Sequence, residues 1–436
     1  MARTKKQSLG GKDRIAIIDG VRTPFVKAWS EFKHLNEADL GRHAVNELIN
    51  RVDIDPNEID ECIFGCVSAP MNGPNVAREI VLRGQLPNHI PAYTVQMYCA
   101  SSAMAAVNGI GDILSGAADV VVVGGVEAMS AAQARISLPL TQALNEAGKA
   151  KSLPDRVKAF TEVHLGDLKP DAPSIAEPTT GLSMGQSAEE MAKEYGITRA
   201  EQDWYAELTH HRAGAAAAGG KFDEIVPIMV GEHYETVVST DTMVRPNTSV
   251  EKMAKLRPVF DRKHGTITAA NASPLTDGAS AVLMMRESRA KALGLQPKAF
   301  VKSHAIVGLD LFKYAMLLGP TFATPIALKR AGLTLKDIDL VEMHEAFAAQ
   351  VLANLKIWGS AELAKSIGLD KKIGDVDYDG FNLNGGSIPL GHPFGATGTR
   401  LMMQLSNLLN EHDKNLGVLT ACAAGGLGVS MVLERN

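Results

Sequence analysis

Two thiols and two imidazoles stand on four short segments: Cys99-Ala100-Ser101-Ser102, His344-Glu345-Ala346-Phe347-Ala348, Gly391-His392-Pro393 and Cys422-Ala423-Ala424-Gly425-Gly426. A thiol becomes a strong nucleophile at neutral pH when something takes its proton, and an imidazole is suited to do so. A second acid/base can then move a proton at carbon, and glycine-permitted backbone can aim N–H groups at a developing oxyanion. Together these groups fit acyl transfer through a thioester.

Each residue has a competing reading. Cys99 follows a short alternating run and precedes a helix of small residues, so its sulfur is expected beside the helix N-terminus, where partial positive charge favours thiolate. The alternative is a buried structural cysteine. His392 lies in the glycine- and proline-rich stretch Asn384–Pro393, whose fixed path can aim an imidazole. A phosphate-cradling loop is the rival there, but the stretch has neither a Walker lysine nor G-x-G-x-x-G; a histidine merely satisfied within the fold is the other. Cys422 sits between a predicted strand and a glycine turn able to present an N–H to an acyl oxygen. With no Cys-x-x-Cys and no histidine at ligand spacing, a metal role is not expected. His344 ends a predicted strand at its carboxyl edge, where α/β sites gather. Glu345 reads either as a base or as a partner for the loop backbone, and Cys62 and Cys66 as core.

The elements that must position these groups follow from periodicity. Strand-like runs at Ile15–Ile18, Cys62–Val67, Tyr93–Met97 and Val120–Val123 alternate with helical spacing such as Leu40, Ala44, Val45, Leu48 and Ile49. This pattern predicts β-α-β units around a mostly parallel, buried sheet. The rhythm returns at Phe300–Val307, Asp339–Met343 and Gly417–Thr420, with a helix expected to open at Thr324-Pro325. A shift of 279 positions superimposes Arg51 on Arg330, Ile54 on Leu333, Ile59 on Ile338 and Asp60 on Asp339, which suggests an internal duplication. The charged, proline-bearing stretch 131–256 breaks the rhythm and reads as an inserted lid. It divides a first half, 1–130 plus 257–295, from a second, 296–436. The helices after Cys99 and after His392 carry faces of alanine, serine, threonine and glycine, which suit a central layer between two sheets.

Composition narrows the class. Four cysteines in 436 residues and a net charge of -5 predict a reduced, cytoplasmic protein with no nucleic-acid surface. The basic opening segment, with Arg3, Lys5, Lys6, Lys12 and Arg14, lacks the apolar region of a leader and reads as a tail.

The four segments, in this order, resemble the thiolases. Arg22-Thr23-Pro24-Phe25, Lys255-Leu256-Arg257-Pro258 and Gly265–Ser273 also resemble motifs of that family. The likeness covers nearly the whole chain. It implies an α/β thiolase fold, five-layered α-β-α-β-α from two similar halves with an inserted lid domain, and dimers or dimers of dimers. It implies coenzyme A thioesters as substrates, with coenzyme A itself a substrate and no permanently bound cofactor or metal. By resemblance, Cys99 is the acylated nucleophile, His392 its base, and Cys422 the acid/base at the α-carbon. One oxyanion hole would come from the backbone N–H groups of Cys99 and Ala424, the other from His392 and a water held at His344. Arg245, Ser273, Ala269, Met184 and Phe347 would contact coenzyme A.

The commoner family pattern has asparagine where this chain has His344. The histidine form, like the long lid, resembles the β subunit of fatty-acid-oxidation multienzyme complexes. That likeness implies a hydratase/dehydrogenase α subunit as a partner, and peripheral membrane contact through Leu153 to Leu168, a stretch that reads equally as a solvated lid helix. Ser183 and Lys252 also depart from the commoner pattern. The reading is a degradative 3-ketoacyl-CoA thiolase. Its rivals are biosynthetic acetoacetyl-CoA formation, a decarboxylative ketoacyl-synthase-type enzyme that would need no Cys422, and a non-catalytic lipid carrier.

Overall fold

Leu40, Ala44, Val45, Leu48 and Ile49 line the buried face of α1 (Glu37–Val52), whose first turn is held by an Asn36–Asp39 capping box. Each fully buried leucine there contributes about 1.5–3 kcal/mol. The computed structural model describes residues 13–170 and 176–435. Around α1 the first half is built from β1 (Ile15–Arg22), β2 (Val26–Lys27), β3 (Glu61–Gly65), α2 (Val76–Arg83), β4 (Ala92–Val95), α3 (Ser101–Ser115) and β5 (Val120–Ala128). Next come α4 (Leu138–Lys149), α5 (Leu153–Lys158), α6 (Met184–Glu194), α7 (Arg199–Ala218), β6 (Ile228–Val230), β7 (Thr236–Val238) and α8 (Val250–Met253). The chain then resumes its alternation with β8 (Thr276–Arg286), α9 (Glu287–Leu293), β9 (Ala299–Gly308), α10 (Gly319–Ala331), β10 (Leu340–Met343), α11 (Ala348–Gly359) and α12 (Ala361–Ser366). It closes with α13 (Ser387–Leu390), α14 (Thr397–Glu411), β11 (Leu416–Ala423) and β12 (Leu427–Glu434).

The strands of the two halves join through a three-residue pairing of β1 with β9, in the order β10-β11-β12-β9-β1-β8-β5-β3-β4. Period-two alternation sorts their side chains into separate cores. Ala16, Ile18, Phe64, Val122 and Leu283 pack toward α1 and α2. Ile17, Ile63, Val121, Val123 and Met284 face the opposite way, into a core shared with α3, α14 and Leu419, Ala421 and Met431 of the second half. Val418 and Val432 face outward again, with Leu328 of α10 and Val351 of α11. The result is five layers, α-β-α-β-α, with α3 and α14 in the middle. At their contact, a Cβ on Gly398 would strike Ala103.

The repeat at 279 positions is physical. The 3-10 turns Pro56–Glu58 and Leu335–Asp337 are related by that offset, as are the starts of β3 and β10. Asp60 Oδ2 accepts from the backbone N–H groups of Asp119 (2.8 Å) and Val120 (3.0 Å). Asp339 Oδ2 does the same for Asn415 (3.0 Å) and Leu416 (2.9 Å). One device thus fastens two adjacent strands at the same end of each half.

Three expectations are corrected. The sheet is mixed rather than mostly parallel: β3 runs parallel to β4 and β5, and β10 to β11, while β8, β1, β9 and β12 pair antiparallel. Both faces of β1, β5, β8, β11 and β12 are largely buried, so apolar runs look alike in either direction, and the tight β11–β12 turn forces antiparallel pairing. The helix expected at Thr324-Pro325 begins at Gly319, with Pro320 in its first turn and Pro325 inside it. Thr324 does not cap; its hydroxyl donates to Thr420 Oγ1 at 3.3 Å in the core. Arg14 is not part of a tail: it donates to Glu287 at 2.9 and 3.0 Å and lies over the Phe300 ring. The other basic residues of the opening segment lie outside the described residues.

Candidate active site

Cys99 occupies the turn between β4 and α3, with Tyr98 at φ 48°. Ser101 holds this turn, accepting from the Met97 N–H (2.8 Å) and donating to the Tyr98 carbonyl (2.6 Å). Ser102 in turn accepts from the Thr399 N–H (3.0 Å), tying the start of α3 to the start of α14. His392 sits just before α14. Gly391, at φ 106°, packs where a Cβ would crowd Thr276, and the His392 N–H donates to Thr276 Oγ1 at 2.8 Å. His344 follows β10, its backbone N–H donating to the Thr420 carbonyl of β11 at 2.9 Å. That bond to the neighbouring strand fixes where the imidazole leaves the sheet edge.

These three segments converge. The Cys99 sulfur and one ring nitrogen from each of His344 and His392 all lie within 4.8 Å of one another. The imidazole centroids are 4.1 Å apart. Each Nδ1 has a hydroxyl partner, Ser387 for His344 (2.8 Å) and Thr397 for His392 (2.6 Å). Each Nε2 is buried with no hydrogen-bond partner among the described residues. Burial lowers the pKa of both rings, that of His392 to about 3, and the Arg400 charge lowers both further. Both imidazoles are therefore neutral.

The helix terminus does not hold Cys99 as a thiolate. Burial pushes the thiol up to about 12 against the opposing effect of two backbone N–H groups directed at the sulfur, those of Ala424 and of Cys99 itself. With both imidazoles neutral, no full positive charge balances a resting thiolate. Cys422 is buried near the end of β11, and its thiol is raised by burial first and then by the proximity of Cys99. The turn after it, Ala424–Gly426, has Gly425 at φ 73° and Gly426 at φ 67°. Glu345 is a structural partner: its carboxylate accepts from Tyr205, Thr209, Asn382 and the Ile388 N–H. Cys62 and Cys66 are core residues. Cys99, His344 and His392 also place one sulfur and two ring nitrogens within 4.8 Å of one another, a set that could hold a soft divalent cation.

A cleft of about 390 Å³ has Arg245, Lys252 and His210 in its lining, with Ala269, Ala270, Pro274 and Ile388. Ile388 in this lining adjoins Ser387, the hydroxyl partner of His344. Of the residues expected to contact coenzyme A, Arg245 and Ala269 are in this lining. Met184 and Phe347 instead pack in the apolar cluster that contains Cys422, and the Ser273 N–H donates to the Ala346 carbonyl at 3.0 Å. Sequence reasoning missed Ser387, Thr397 and Arg400 around the imidazoles and His210 and Met243 in the cleft. Only their nearness to His392 or Arg245 in the chain could have marked some of them. Arg22 of the Arg22–Phe25 motif is far from this chemistry in role: it is buried and pairs with Glu224 (3.1 Å) and Asp241 (2.7 Å), clamping the 131–256 segment to β1.

Comparison with known proteins agrees with this architecture. Residues 15–288 match the thiolase N-terminal domain and residues 295–435 the thiolase C-terminal domain. A 3-ketoacyl-CoA thiolase of Colwellia psychrerythraea is 46% identical over 99% of both chains. The Bacillus anthracis acetyl-CoA acetyltransferase superimposes with a TM-score of 0.84 at 31% identity, covering 97% of this chain and 99% of its own. Human mitochondrial 3-ketoacyl-CoA thiolase in complex with CoA gives 0.83 at 32%, covering 97% and 98%.

Proposed function

The chain belongs to the thiolase family, and we propose that it is a degradative 3-ketoacyl-CoA thiolase, cleaving its substrate with coenzyme A to acetyl-CoA and an acyl-CoA two carbons shorter. The observation that carries the assignment of roles is the meeting of the Cys99 sulfur with two neutral imidazoles whose Nε2 atoms have no other partner among the described residues.

Cys99 attacks the 3-keto carbon as its proton passes to His392 Nε2. Starting from a neutral pair, proton transfer accompanies attack. The new alkoxide lies by the N–H groups of Cys99 and Ala424, already directed at the sulfur. Cleavage of the C2–C3 bond leaves acetyl-CoA as an enolate, whose oxygen is held by His344 and the newly protonated His392. Cys422 delivers the proton to C2. His392 then returns its proton to the Cys422 thiolate, and a second coenzyme A thiol takes the acyl group from Cys99, its proton passing through His392 to the departing Cys99 sulfur. Coenzyme A enters along the cleft, its phosphates near Arg245 and Lys252 and its pantetheine past Ala269 toward Ser273, Met184 and Phe347.

We assign 131–256 to a lid, 1–130 plus 257–295 to the first half and 296–436 to the second, in a cytoplasmic homodimer or homotetramer. Among the described residues no helix is long and apolar enough to cross a membrane. Leu153, Val157, Leu165 and Leu168 are exposed, and the segment from Leu153 to Leu168 is our proposed peripheral membrane contact, with a hydratase/dehydrogenase α subunit as a proposed partner. Tagged protein purified from its native host tests both levels. It should release equal amounts of acetyl-CoA and shortened acyl-CoA from a series of 3-ketoacyl-CoA chain lengths, and carry a larger subunit with it. Activity that requires a malonyl thioester, with none on 3-ketoacyl-CoA, would overturn the enzymatic reading; recovery of the chain alone would remove the partner.

A further inference from the structure

His344 and His392 have the same residue type, the same burial and the same unpartnered Nε2, yet the reaction asks one for a lone pair and the other for a proton. Their hydroxyl partners differ in a way that separates them. Resting on the thiolase reading above, we infer that the two imidazoles are held as opposite tautomers, and that Ser387 and Arg400 are positioning residues that make His344 a hydrogen-bond donor to the substrate oxygen.

At His392, Thr397 Oγ1 lies 2.6 Å from Nδ1 and 3.2 Å from the Pro393 carbonyl. A carbonyl only accepts. Both contacts contain a proton only if Nδ1–H donates to Thr397 and Thr397 donates to Pro393, which leaves Nε2 with its lone pair. At His344, Ser387 Oγ lies 2.8 Å from Nδ1 and accepts from Arg400 Nη2 at 2.9 Å. A guanidinium only donates. Among the described residues the serine proton therefore has one acceptor, His344 Nδ1; turning that bond round would orphan a buried hydroxyl proton, which costs about 1–3 kcal/mol. His344 then carries its proton on Nε2. Arg400 is itself fixed by Gln404 Oε1 (3.1 Å), with the Glu342 carboxyl 3.8 Å away.

The arrangement explains how histidine can stand where the commoner pattern has asparagine. An amide always carries its donor; an imidazole needs a partner to decide which nitrogen bears the proton. Thiolysis is compared for the wild type, Ser387→Ala, His344→Asn and the double variant. Ser387→Ala should lower kcat roughly tenfold or more at near-constant KM with histidine at 344, and cost several-fold less with asparagine there. An equal loss in both backgrounds would mean that Ser387 serves structure alone and would overturn the inference; any damage from unpairing Arg400 is common to both arms. A neutron structure of the wild type needs no variant to fold. It should place deuterium on His344 Nε2 and His392 Nδ1, and deuterium on His344 Nδ1 instead would overturn the inference. Failure of the wild type to thiolyse 3-ketoacyl-CoA would defeat the functional reading, while the neutron density would still decide the tautomers.

Discussion

The three side chains to which we assign the chemistry, Cys99, His344 and His392, present ligand atoms within 4.8 Å of one another and are neutral. A thiol raised to about 12 and an imidazole lowered to about 3 cannot rest as an ion pair at neutral pH. The free enzyme's kcat/KM should therefore show a plateau through the neutral range. An acid limb centred on the ordinary imidazole value of 6.5 and removed by changing His392 would contradict this. The same shift bears on stability. The unfolded imidazole binds a proton below about 6.5 and the folded one only near 3, so this group withdraws stability as pH falls through that window and not above it. Of the residues proposed for the site, Cys99, His344, His392 and Cys422 were legible because a chain with only four cysteines sets two of its thiols and two imidazoles at strand or helix ends, two of the four near glycines. Ser387, Thr397 and Arg400 were not, because a serine, a threonine or an arginine has no distinctive pattern until its hydrogen-bond partner is known.

At the scale of elements, the site depends on how closely α3 and α14 approach, since Cys99 precedes one and His392 the other. A Cβ at Gly398 would come within 2.7 Å of the Ala103 Cβ, whereas one at Gly111, on the exposed side of α3, would meet nothing within 4 Å. Gly398→Ala should cost about 1–3 kcal/mol by overpacking and reduce activity with it. Gly111→Ala should instead raise stability by about 0.4–1 kcal/mol and leave turnover unchanged. Chemical denaturation of the two variants checks both signs, and a harmless Gly398→Ala would contradict the close central layer. The small-residue faces of these helices announced that layer in the sequence. Strand direction did not announce itself, because burial on both faces erases the alternation that would distinguish an antiparallel strand. The start of α10 was misplaced because a Thr-Pro pair reads as a helix opening, while Gly319-Pro320 in the preceding turns is the actual one.

For the whole molecule, duplication explains why residues in opposite halves of the chain can share one site. The matched strand clasps at Asp60 and Asp339 belong to two similar halves, and the segments bearing Cys99 and His392 lead into the two helices of the same central layer. The offset that relates them was visible from a handful of residue pairs. The cleft was less visible: Arg245 and Ala269 were reached through resemblance alone, and the residues beside them come from separated stretches that only folding brings together. The most direct measurement is a single turnover with a 3-ketoacyl-CoA in the absence of free coenzyme A, quenched and mapped by peptide mass. The account predicts an acyl group two carbons shorter than the substrate chain on the peptide containing Cys99, and none in Cys99→Ser. The same adduct on Cys422, or release of acetyl-CoA with no covalent intermediate, would contradict it.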